Sequence, residues 1–296
     1  MRRATQADLA AVQDFLAPRV ATSMFLSGNL RDQGLTQTDA GDTGPDAGAD
    51  HRKSMTLWLS EEAGQITGVI GYAAAGYVVF EAPALTQADY PALREALFGR
   101  SLLGLNGAVD QVAHLVAALD LPCHRAAMDE VEPHYHLALS ALTIPSGAGR
   151  LRPALAQDLP QLIQWRMASE METLGARDSA ENRARARVSL QELMAADRLR
   201  VLEQDGLAVA MTNFNAALPA IVQVGGVYTP PDLRGMGYAR RAVTLHLAEA
   251  QAQGVTEAIL FAANAAAARA YEAIGFAQIG SYRIVNFDPG ITLGET

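Results

Sequence analysis

The sequence of 296 residues has little of what defines several protein classes. It contains one cysteine, Cys123, which excludes an internal disulfide and any metal site built from several cysteines. No apolar run reaches the roughly 18–20 residues that a membrane-spanning helix needs. Arg2 and Arg3 are not followed by an apolar segment, so the N-terminus is unlike a secretory signal. These absences predict a cytoplasmic protein without a membrane partner.

Aromatic residues are also few, at 6% of the chain, but hydrophobic residues make up 50% and charged residues 19%. This composition is typical of a globular protein with a substantial core and excludes a largely disordered chain. Because a domain takes roughly 150 residues, the length predicts two domains.

The net charge of −9 is distributed unevenly along the chain. Residues 1–149 contain nine basic and 17 acidic residues, a net charge of −8, whereas residues 150–296 contain 14 and 15, a net charge of −1. General nucleic-acid binding depends on neutralising phosphates with Lys and Arg, so the chain is not expected to bind nucleic acid. The nearly neutral half retains enough arginine to hold one small phosphorylated ligand.

A short motif occurs twice in the chain. Arg2-x-Ala4-x-x-x-Asp8-Leu9 recurs 150 residues later as Arg152-x-Ala154-x-x-x-Asp158-Leu159. Each aspartate precedes an apolar periodic stretch, where it can accept hydrogen bonds from N–H groups in the first turn of a helix. Because residues 145–149 have the composition of a linker, we predict two domains, 1–146 and 147–296.

The second half predicts two helices, an antiparallel meander, and then alternating strands and helices, with Gln204-Asp205-Gly206 as a hairpin turn. The first half predicts a similar order, interrupted by an acidic loop from Thr36 to Asp50. The predicted fold class is therefore mixed α/β, or α+β, with two domains that each contain a mostly antiparallel sheet flanked by helices.

The most informative segment is the glycine-rich stretch from Gly225 to Arg241. A predicted strand ends at Thr229, two prolines follow, and Arg234-Gly-Met-Gly-Tyr-Ala239 leads directly into an amphipathic helix. Glycines allow backbone N–H groups to turn toward an anion, and a helix N-terminus adds unpaired donors, so this order predicts a pyrophosphate site. The spacing matches neither the dinucleotide fingerprint nor the P-loop.

This segment resembles the GCN5-related N-acetyltransferase (GNAT) superfamily, whose acetyl-CoA motif Q/R-x-x-G-x-G/A is met by Arg234, Gly237 and Ala239. A second block of the family is matched by Asn264, by Arg269-Ala-Tyr271 and by Gly275-Phe276. The resemblance covers residues 150 to 290. Residues 1–145 share the element order and the short repeat, which predicts a tandem protein with a degenerate N-terminal copy.

The resemblance implies acetyl-CoA as cosubstrate, no metal, and direct attack on the thioester by a primary amine of a small molecule or peptide. The strand at Val227, Tyr228 and Thr229 would splay from its neighbour and pair with the pantetheine arm, and Asn264 would lie at the end of the following strand. Tyr271 would protonate the departing thiolate. The pyrophosphate would be held by Arg234, Gly235, Met236, Gly237, Tyr238 and Ala239.

One position departs from the family pattern. Members often carry a glutamate base five residues before the position of Tyr228, where this sequence has Gln223, which cannot take a proton. Glu170 or Glu172 could replace it, or the amine could arrive deprotonated. Gln223 also leaves open a non-catalytic acyl-CoA sensor, and a longer acyl group is a further alternative. We expect a monomer or a homodimer.

Several other residues have a structural and a functional interpretation. His134-x-His136 would place two imidazoles on one strand face, but without a third ligand metal binding is not expected. Cys123 is predicted to be buried and inert, and Gly104-x-x-Gly107 to be a plain turn. Asn264 suits a helix N-cap. Arg240 and Arg241 are either solvated helix charges or phosphate contacts.

Overall fold

The computed structural model describes residues 1–35, 54–174 and 177–294. The chain forms two compact units, Met1–Glu132 with Ser281–Thr296, and Pro133–Gly280. The predicted acidic loop from Thr36 to Asp50 lies outside the described residues. The division into family copies 1–146 and 147–296 stays a prediction, and the compact units have different boundaries from it.

The first unit contains a sheet in the order β1-β2-β3-β4-β5-β12, in which β4 and β5 pair in parallel. The last strand comes from the C-terminal end of the chain and pairs antiparallel with β5. The elements are β1 (Arg2–Arg3), α1 (Leu9–Leu16), α2 (Val20–Gln33), β2 (Met55–Glu62), β3 (Gln65–Ala73), β4 (Tyr77–Glu81), α3 (Tyr90–Leu97), β5 (Ser101–Ala108), α4 (Val109–Leu119) and, from Ser281 onward, β12 (Ala277–Thr292).

The second unit contains a sheet in the order β6-β11-β10-β9-β8-β7, in which β10 and β11 pair in parallel. The other neighbouring strands of this sheet pair antiparallel: β6 with β11, β10 with β9, β9 with β8, and β8 with β7. The elements are, from Pro133 onward, β6 (Met128–Ala138), then β7 (Arg150–Pro153), α5 (Leu159–Leu174), α6 (Ala180–Ala195), β8 (Leu199–Gln204), β9 (Leu207–Ala217), β10 (Ile221–Tyr228), α7 (Tyr238–Ala252), β11 (Glu257–Phe261) and α8 (Ala265–Glu272).

The mixed α/β fold class is confirmed, and each unit has a mostly antiparallel sheet with helices against it. Local signals explain several element ends. Asp205 and Gly206 both adopt positive φ, 51° and 77°, as a two-residue hairpin turn between β8 and β9 requires. Ser179 caps α6, its hydroxyl accepting a hydrogen bond from the Asn182 N–H at 3.1 Å.

The sheet of the second unit separates two hydrophobic clusters. Strand alternation directs Val222, Val224 and Phe214 toward Val243 and Leu247 of α7. The opposite face carries Leu199, Val201, Met211 and Tyr228, which pack with α5 and α6. Each strand residue therefore belongs to either the α7 face or the α5–α6 face of this sheet.

Two predictions about the first half were wrong. Gly104 and Gly107 lie within β5, which pairs with β12, rather than in a turn. Glycine suits these two positions because a Cβ atom on Gly104 would crowd Asn286 Oδ1 and one on Gly107 would lie 2.8 Å from the Phe80 ring. Cys123 is half-buried rather than buried, and it begins a 3-10 turn. Burial raises the pKa of its thiol.

The two copies of the repeated motif form the same cluster. Arg2 donates to Asp8 at 2.7 Å and to Glu61 at 2.7 Å, and Arg152 donates to Asp158 at 2.6 Å and to Glu203 at 2.7 Å. Each aspartate also accepts from a backbone N–H three residues earlier, at 2.7 Å in both copies. The aspartates therefore do not cap the following first turn as predicted, because they bind the preceding turn.

Two buried imidazoles predict acid sensitivity in the second unit. Burial, with a smaller effect of Arg200, lowers the pKa of His246 to about 3, and burial with His136 lowers the pKa of His134 to about 4. The folded chain keeps both rings neutral, whereas the unfolded chain takes up protons below about pH 6.5, so the stabilisation is present at neutral pH and lost on acidification. Each ring should therefore lower the free energy of unfolding by about 2 kcal/mol between pH 7 and pH 5.

Denaturant unfolding at the two pH values checks this prediction. The two rings together should lower the free energy of unfolding on going from pH 7 to pH 5. His246→Gln removes one of the two rings, so about half of this loss should disappear in the variant. An unchanged pH dependence in this variant would contradict the assignment.

Candidate active site

Strands β10 and β11 separate partway along their length. They pair from Ile221 opposite Glu257 to Gln223 opposite Ile259, and no later pair joins them in the described part of the chain. β11 continues to pair with β6 as far as Phe261. The backbone of β10 from Val224 to Tyr228 therefore has an edge available to an extended ligand with amide groups.

A glycine bulge lies where the strands separate. The register between β10 and β9 shifts on both sides of Gly225, and Gly226 has a φ of +54°. A Cβ atom at Gly225 would lie 2.1 Å from Asn215 Nδ2, and one at Gly226 would lie 1.7 Å from Asn213 Oδ1. A larger residue at either position would have to displace the asparagine side chains of β9, which cover the backbone there.

The loop after β10 presents the N-terminus of α7. Gly235 and Gly237 both have a φ of +79°, a conformation that other residues rarely adopt. The N–H of Arg241 makes the first intrahelical bond, to the Gly237 carbonyl at 3.0 Å, so the N–H groups of the preceding turn have no acceptor within the helix. Tyr238 is buried and fixes the helix start, while Met236 is exposed. This geometry suits an anion.

Arg234 lies at this loop. Its Nε donates to the Thr229 carbonyl at 3.0 Å, and its Nη2 donates to Glu172 at 2.7 and 2.9 Å. Its guanidinium also lies 5.5 Å from the centre of the Tyr228 ring. The Tyr228 hydroxyl lies 3.5 Å from Glu172. Arg234 is thus held beside the loop, and Glu172 occupies its exposed end.

The two arginines of the first turns of α7 differ in position. Arg241 donates to the Pro145 carbonyl at 2.8 Å, which directs it to the segment before β7. Arg240 Nη2 lies 3.8 Å from the position that a Cβ atom would take on Gly237. Of these two side chains, Arg240 is therefore the one beside the glycine loop.

Tyr271 lies on α8, and Asn264 immediately precedes this helix. Asn264 caps the helix, its Oδ1 accepting from the Ala267 N–H at 2.9 Å, so its predicted structural role is confirmed. Tyr271 is half-buried and meets Phe276 edge-to-face at 6.0 Å. Tyr271 and Val227 pack against the same cluster on the α7 face. Tyr271 is thus placed next to the core beneath the separated strands.

Buried polar groups lie on the opposite face of the sheet. Gln223 is 3% exposed and Asn213 is fully buried, and Gln223 Oε1 and Asn213 Oδ1 have no hydrogen-bond partner in the described structure. Burial raises the pKa of Glu170, against the opposing effect of Arg166. Of the two predicted alternatives, Glu172 is paired with Arg234, whereas Glu170 is a partly buried carboxyl.

Asn213 and Arg166 were not among the predicted site residues. Asn213 lies two positions after Met211 and so shares its strand face, which is otherwise apolar. Arg166 follows the buried Leu162 by one helical turn. The available signal in each case was a polar residue at a position where the strand or helix periodicity predicts a buried apolar side chain.

The two histidines of β6 have separate contacts. His134 is buried and lies 4.9 Å from the Phe261 ring, and His136 Nε2 lies 2.7 Å from Glu257. Within residues 1–35, 54–174 and 177–294, no group of three or more His, Cys, Asp or Glu side chains could hold a metal ion. Within those same ranges, no helix combines the length and apolarity needed to span a bilayer.

An open parallel strand pair beside a helix N-terminus defines a mixed α/β domain able to bind an extended anionic ligand. Residues 159–276 match the Acetyltransferase (GNAT) family. This match supports acyl-CoA-dependent acetyl transfer in general. No curated protein matches the chain significantly.

Solved structures show the same fold. A GCN5-related N-acetyltransferase from Kribbella flavida is 16% identical with a TM-score of 0.57, and the match covers 92% of this chain and 95% of that one. One from Sphaerobacter thermophilus is 14% identical with a TM-score of 0.52, covering 100% and 98%. A GNAT acetyltransferase from Colwellia psychrerythraea is 14% identical with a TM-score of 0.51, covering 79% and 85%.

Proposed function

We propose that residues 147–296 bind acetyl-CoA and transfer its acetyl group to a primary amine of a small molecule or peptide. The observation that carries this proposal is the separation of β10 from β11 immediately before the glycine-flanked N-terminus of α7. The open strand edge fits the amides of a pantetheine arm, and the unpaired N–H groups fit a pyrophosphate.

The proposed binding residues follow the chain from strand to helix. Val227, Tyr228 and Thr229 supply the strand end, and Asn264 stands at the N-terminus of α8. Arg234 and Arg240 add positive charge beside the loop. The loop itself and the start of α7 are Gly235, Met236, Gly237, Tyr238 and Ala239.

The proposed reaction forms a C–N bond between the amine nitrogen and the acetyl carbonyl carbon, and breaks the C–S bond. The sulfur leaves with the bonding electron pair and takes a proton from Tyr271. We assign the proton lost by the amine to Glu170, because burial raises the pKa of its carboxyl and Glu172 is occupied by Arg234. A backbone N–H of the separated strand stabilises the oxyanion.

Acetyl-CoA should raise the melting temperature of the protein, and a mixed panel of primary amines should cause release of the CoA thiol. Absence of any stabilisation by acetyl-CoA would overturn the proposal. Stabilisation without thiol release would favour the second candidate, a non-catalytic acyl-CoA sensor, which the amide at Gln223 supports.

We further propose that the first unit is a degenerate copy of the same fold. The two units share the element order and the Arg–Asp–Glu cluster described above. In the first unit, Gln111 Oε1 accepts from the Ala82 N–H at 2.6 Å, just beyond the end of the β4–β5 pairing, and Gln111 Nε2 donates to Glu81 at 2.9 Å. A side-chain amide thus occupies a backbone donor where a pantetheine amide would bind.

This arrangement predicts one acetyl-CoA per chain. Gln111 and the buried Glu81 fill the corresponding opening of the first unit, so only the second unit should bind the ligand. Isothermal titration calorimetry measures the stoichiometry. A ratio of two ligands per chain would contradict the degeneracy of the first copy.

Glu172→Gln should tighten acetyl-CoA binding by up to about fivefold. Glu172 competes with the phosphates for the Arg234 guanidinium, and exposed ion pairs of this kind contribute about 0.2–1 kcal/mol. Titration calorimetry measures the change. Glu181→Gln, an exposed change of the same charge on α6, is the control and should leave the affinity unchanged; equal effects of both variants would contradict direct competition.

The remaining proposals concern the setting of the protein. We propose a cytoplasmic enzyme that requires no metal, has no nucleic-acid or membrane partner, and is a monomer or homodimer. Acetyl is the proposed acyl group, and a longer acyl group remains the alternative.

A further inference from the structure

Two unpartnered amide oxygens lie on the α5–α6 face of the second unit's sheet. Asn213 pairs with Leu199 on one side and Gly225 on the other, so it shares this face with the core residues of β8. Gln223 lies two positions before Gly225 and therefore points to the same face. Both side chains belong to the space between the sheet and α5 and α6.

These oxygens are acceptors without donors. Asn213 Nδ2 donates to Asn215 Oδ1 at 2.8 Å, which fixes the amide and leaves its Oδ1 over Gly226. Asn213 Oδ1 and Gln223 Oε1 have no donor among the described residues, although both side chains are at least 97% buried. A buried acceptor without a donor costs free energy, so both oxygens favour a ligand with N–H groups.

The third group on this face is Arg166 of α5, whose guanidinium Nε has no hydrogen-bond partner among the described residues. Arg166 lies one helical turn after Leu162, which is fully buried against this face, and Trp165 beside it lies 6.2 Å from the Tyr228 ring. The Arg166 Nε is buried without a hydrogen-bond partner. The Glu170 Oε1 lies 3.7 Å from it, beyond hydrogen-bond distance.

We infer that the acceptor of this site is a small primary amine that also carries a carboxylate, as in an amino acid, with Gln223 and Asn213 accepting from its amine and Arg166 binding its carboxylate. This inference rests on the proposed acetyl transfer. Guanidinium groups bind carboxylates through paired hydrogen bonds, and the amide oxygens accept N–H groups without adding charge.

The proposed roles leave the charges balanced. The acceptor nitrogen reacts as the neutral amine, so it loses one proton when the C–N bond forms, and Glu170 takes that proton. Glu170 lies beyond hydrogen-bond distance of the Arg166 Nε, so the guanidinium can hold the carboxylate of the acceptor while Glu170 is still charged. Burial lowers the pKa of Arg166, which fits a cation that lacks a full counter-charge before the acceptor arrives.

The test compares amino acids with their carboxamides. Glycine, L-alanine, L-glutamate, L-methionine and L-phenylalanine are each assayed beside the matching amide, by release of the CoA thiol. At least one acid should exceed its amide by at least tenfold in kcat/KM. Arg166→Gln should lower kcat/KM for that acid by about 10–100-fold, chiefly through KM, and should change kcat/KM for the amide much less.

Three further variants separate the roles. Arg166→Lys keeps the charge and should restore part of the preference for the acid, whereas Arg187→Gln, an exposed change on α6, should keep all of it. Gln223→Leu should raise KM for acid and amide alike, because it removes an acceptor for the amine. The melting temperature with and without acetyl-CoA establishes that each variant is folded.

The outcomes distinguish the inference from the function on which it rests. Equal use of acids and amides, an equal effect of Arg166→Gln on both, or no turnover of any amino acid would overturn the inference. If other amines are acetylated in those cases, the proposed acetyl transfer stands. Failure of acetyl-CoA to stabilise the wild-type protein would instead overturn the proposed function.

Discussion

Replacing Arg234 by glutamate should abolish the stabilisation that acetyl-CoA gives the protein. The guanidinium is held beside the α7 N-terminus by its bond to the Thr229 carbonyl and is 46% exposed, so it is accessible to a phosphate. A carboxylate there would stand next to Glu172 and repel the pyrophosphate. At a ligand concentration of about 100 Kd, the wild-type protein should gain about 2.7 kcal/mol, and the variant should gain almost none.

Thermal unfolding with and without acetyl-CoA measures this difference. Arg183→Glu is the matched control, because Arg183 forms an exposed pair with Asp178 near the start of α6 and undergoes the same change of charge. The control should keep the full ligand-induced shift. An equal shift in wild type and Arg234→Glu would remove Arg234 from the proposed phosphate site.

The parts of the site that were predictable depend on neighbours in the sequence. Gly235 and Gly237 require positive φ within a few residues of the helix they precede, and Asn264 caps a helix by binding a residue three positions later. Spacing alone carries this information, because the interacting groups lie within one turn of chain.

The parts that were not predictable join distant segments. Glu172 and Arg234 are 62 residues apart, and nothing in the local pattern around either residue distinguishes a paired charge from a solvated one. The asparagines that cover the Gly225-Gly226 bulge belong to another strand, so the bulge reads locally as a flexible glycine pair. Strand register decides both contacts, and register is a property of the folded sheet.

The first unit shows the same limit. The short motif that recurs after 150 residues matches Arg2 and Asp8 to Arg152 and Asp158. It does not include the glutamates that complete each cluster. Glu61 and Glu203 each follow a register shift in their strands, so strand alternation alone does not place them. The assignment of residues 281–296 to the first unit likewise depends on the pairing of β12 with β5.

Tyr271→Phe should reduce kcat by about 10²- to 10⁴-fold at neutral pH while sparing acetyl-CoA binding. The ring packs edge-to-face on Phe276 and against the core beneath the separated strands, and phenylalanine preserves both contacts. Only the hydroxyl is lost, which is the group proposed to protonate the sulfur. Single-turnover acetylation measures the chemical step, and titration calorimetry measures the binding.

The pH dependence separates this role from a merely structural one. A thiol has a pKa near 8.5, so the sulfur needs little help from an acid once the pH exceeds about 9, and the deficit of Tyr271→Phe should shrink there. Tyr135→Phe is the control, because its hydroxyl bonds Glu272, the neighbour of Tyr271, at 2.8 Å. A deficit that stays constant with pH, or an equal loss in Tyr135→Phe, would mean that Tyr271 supports the helix rather than donating the proton.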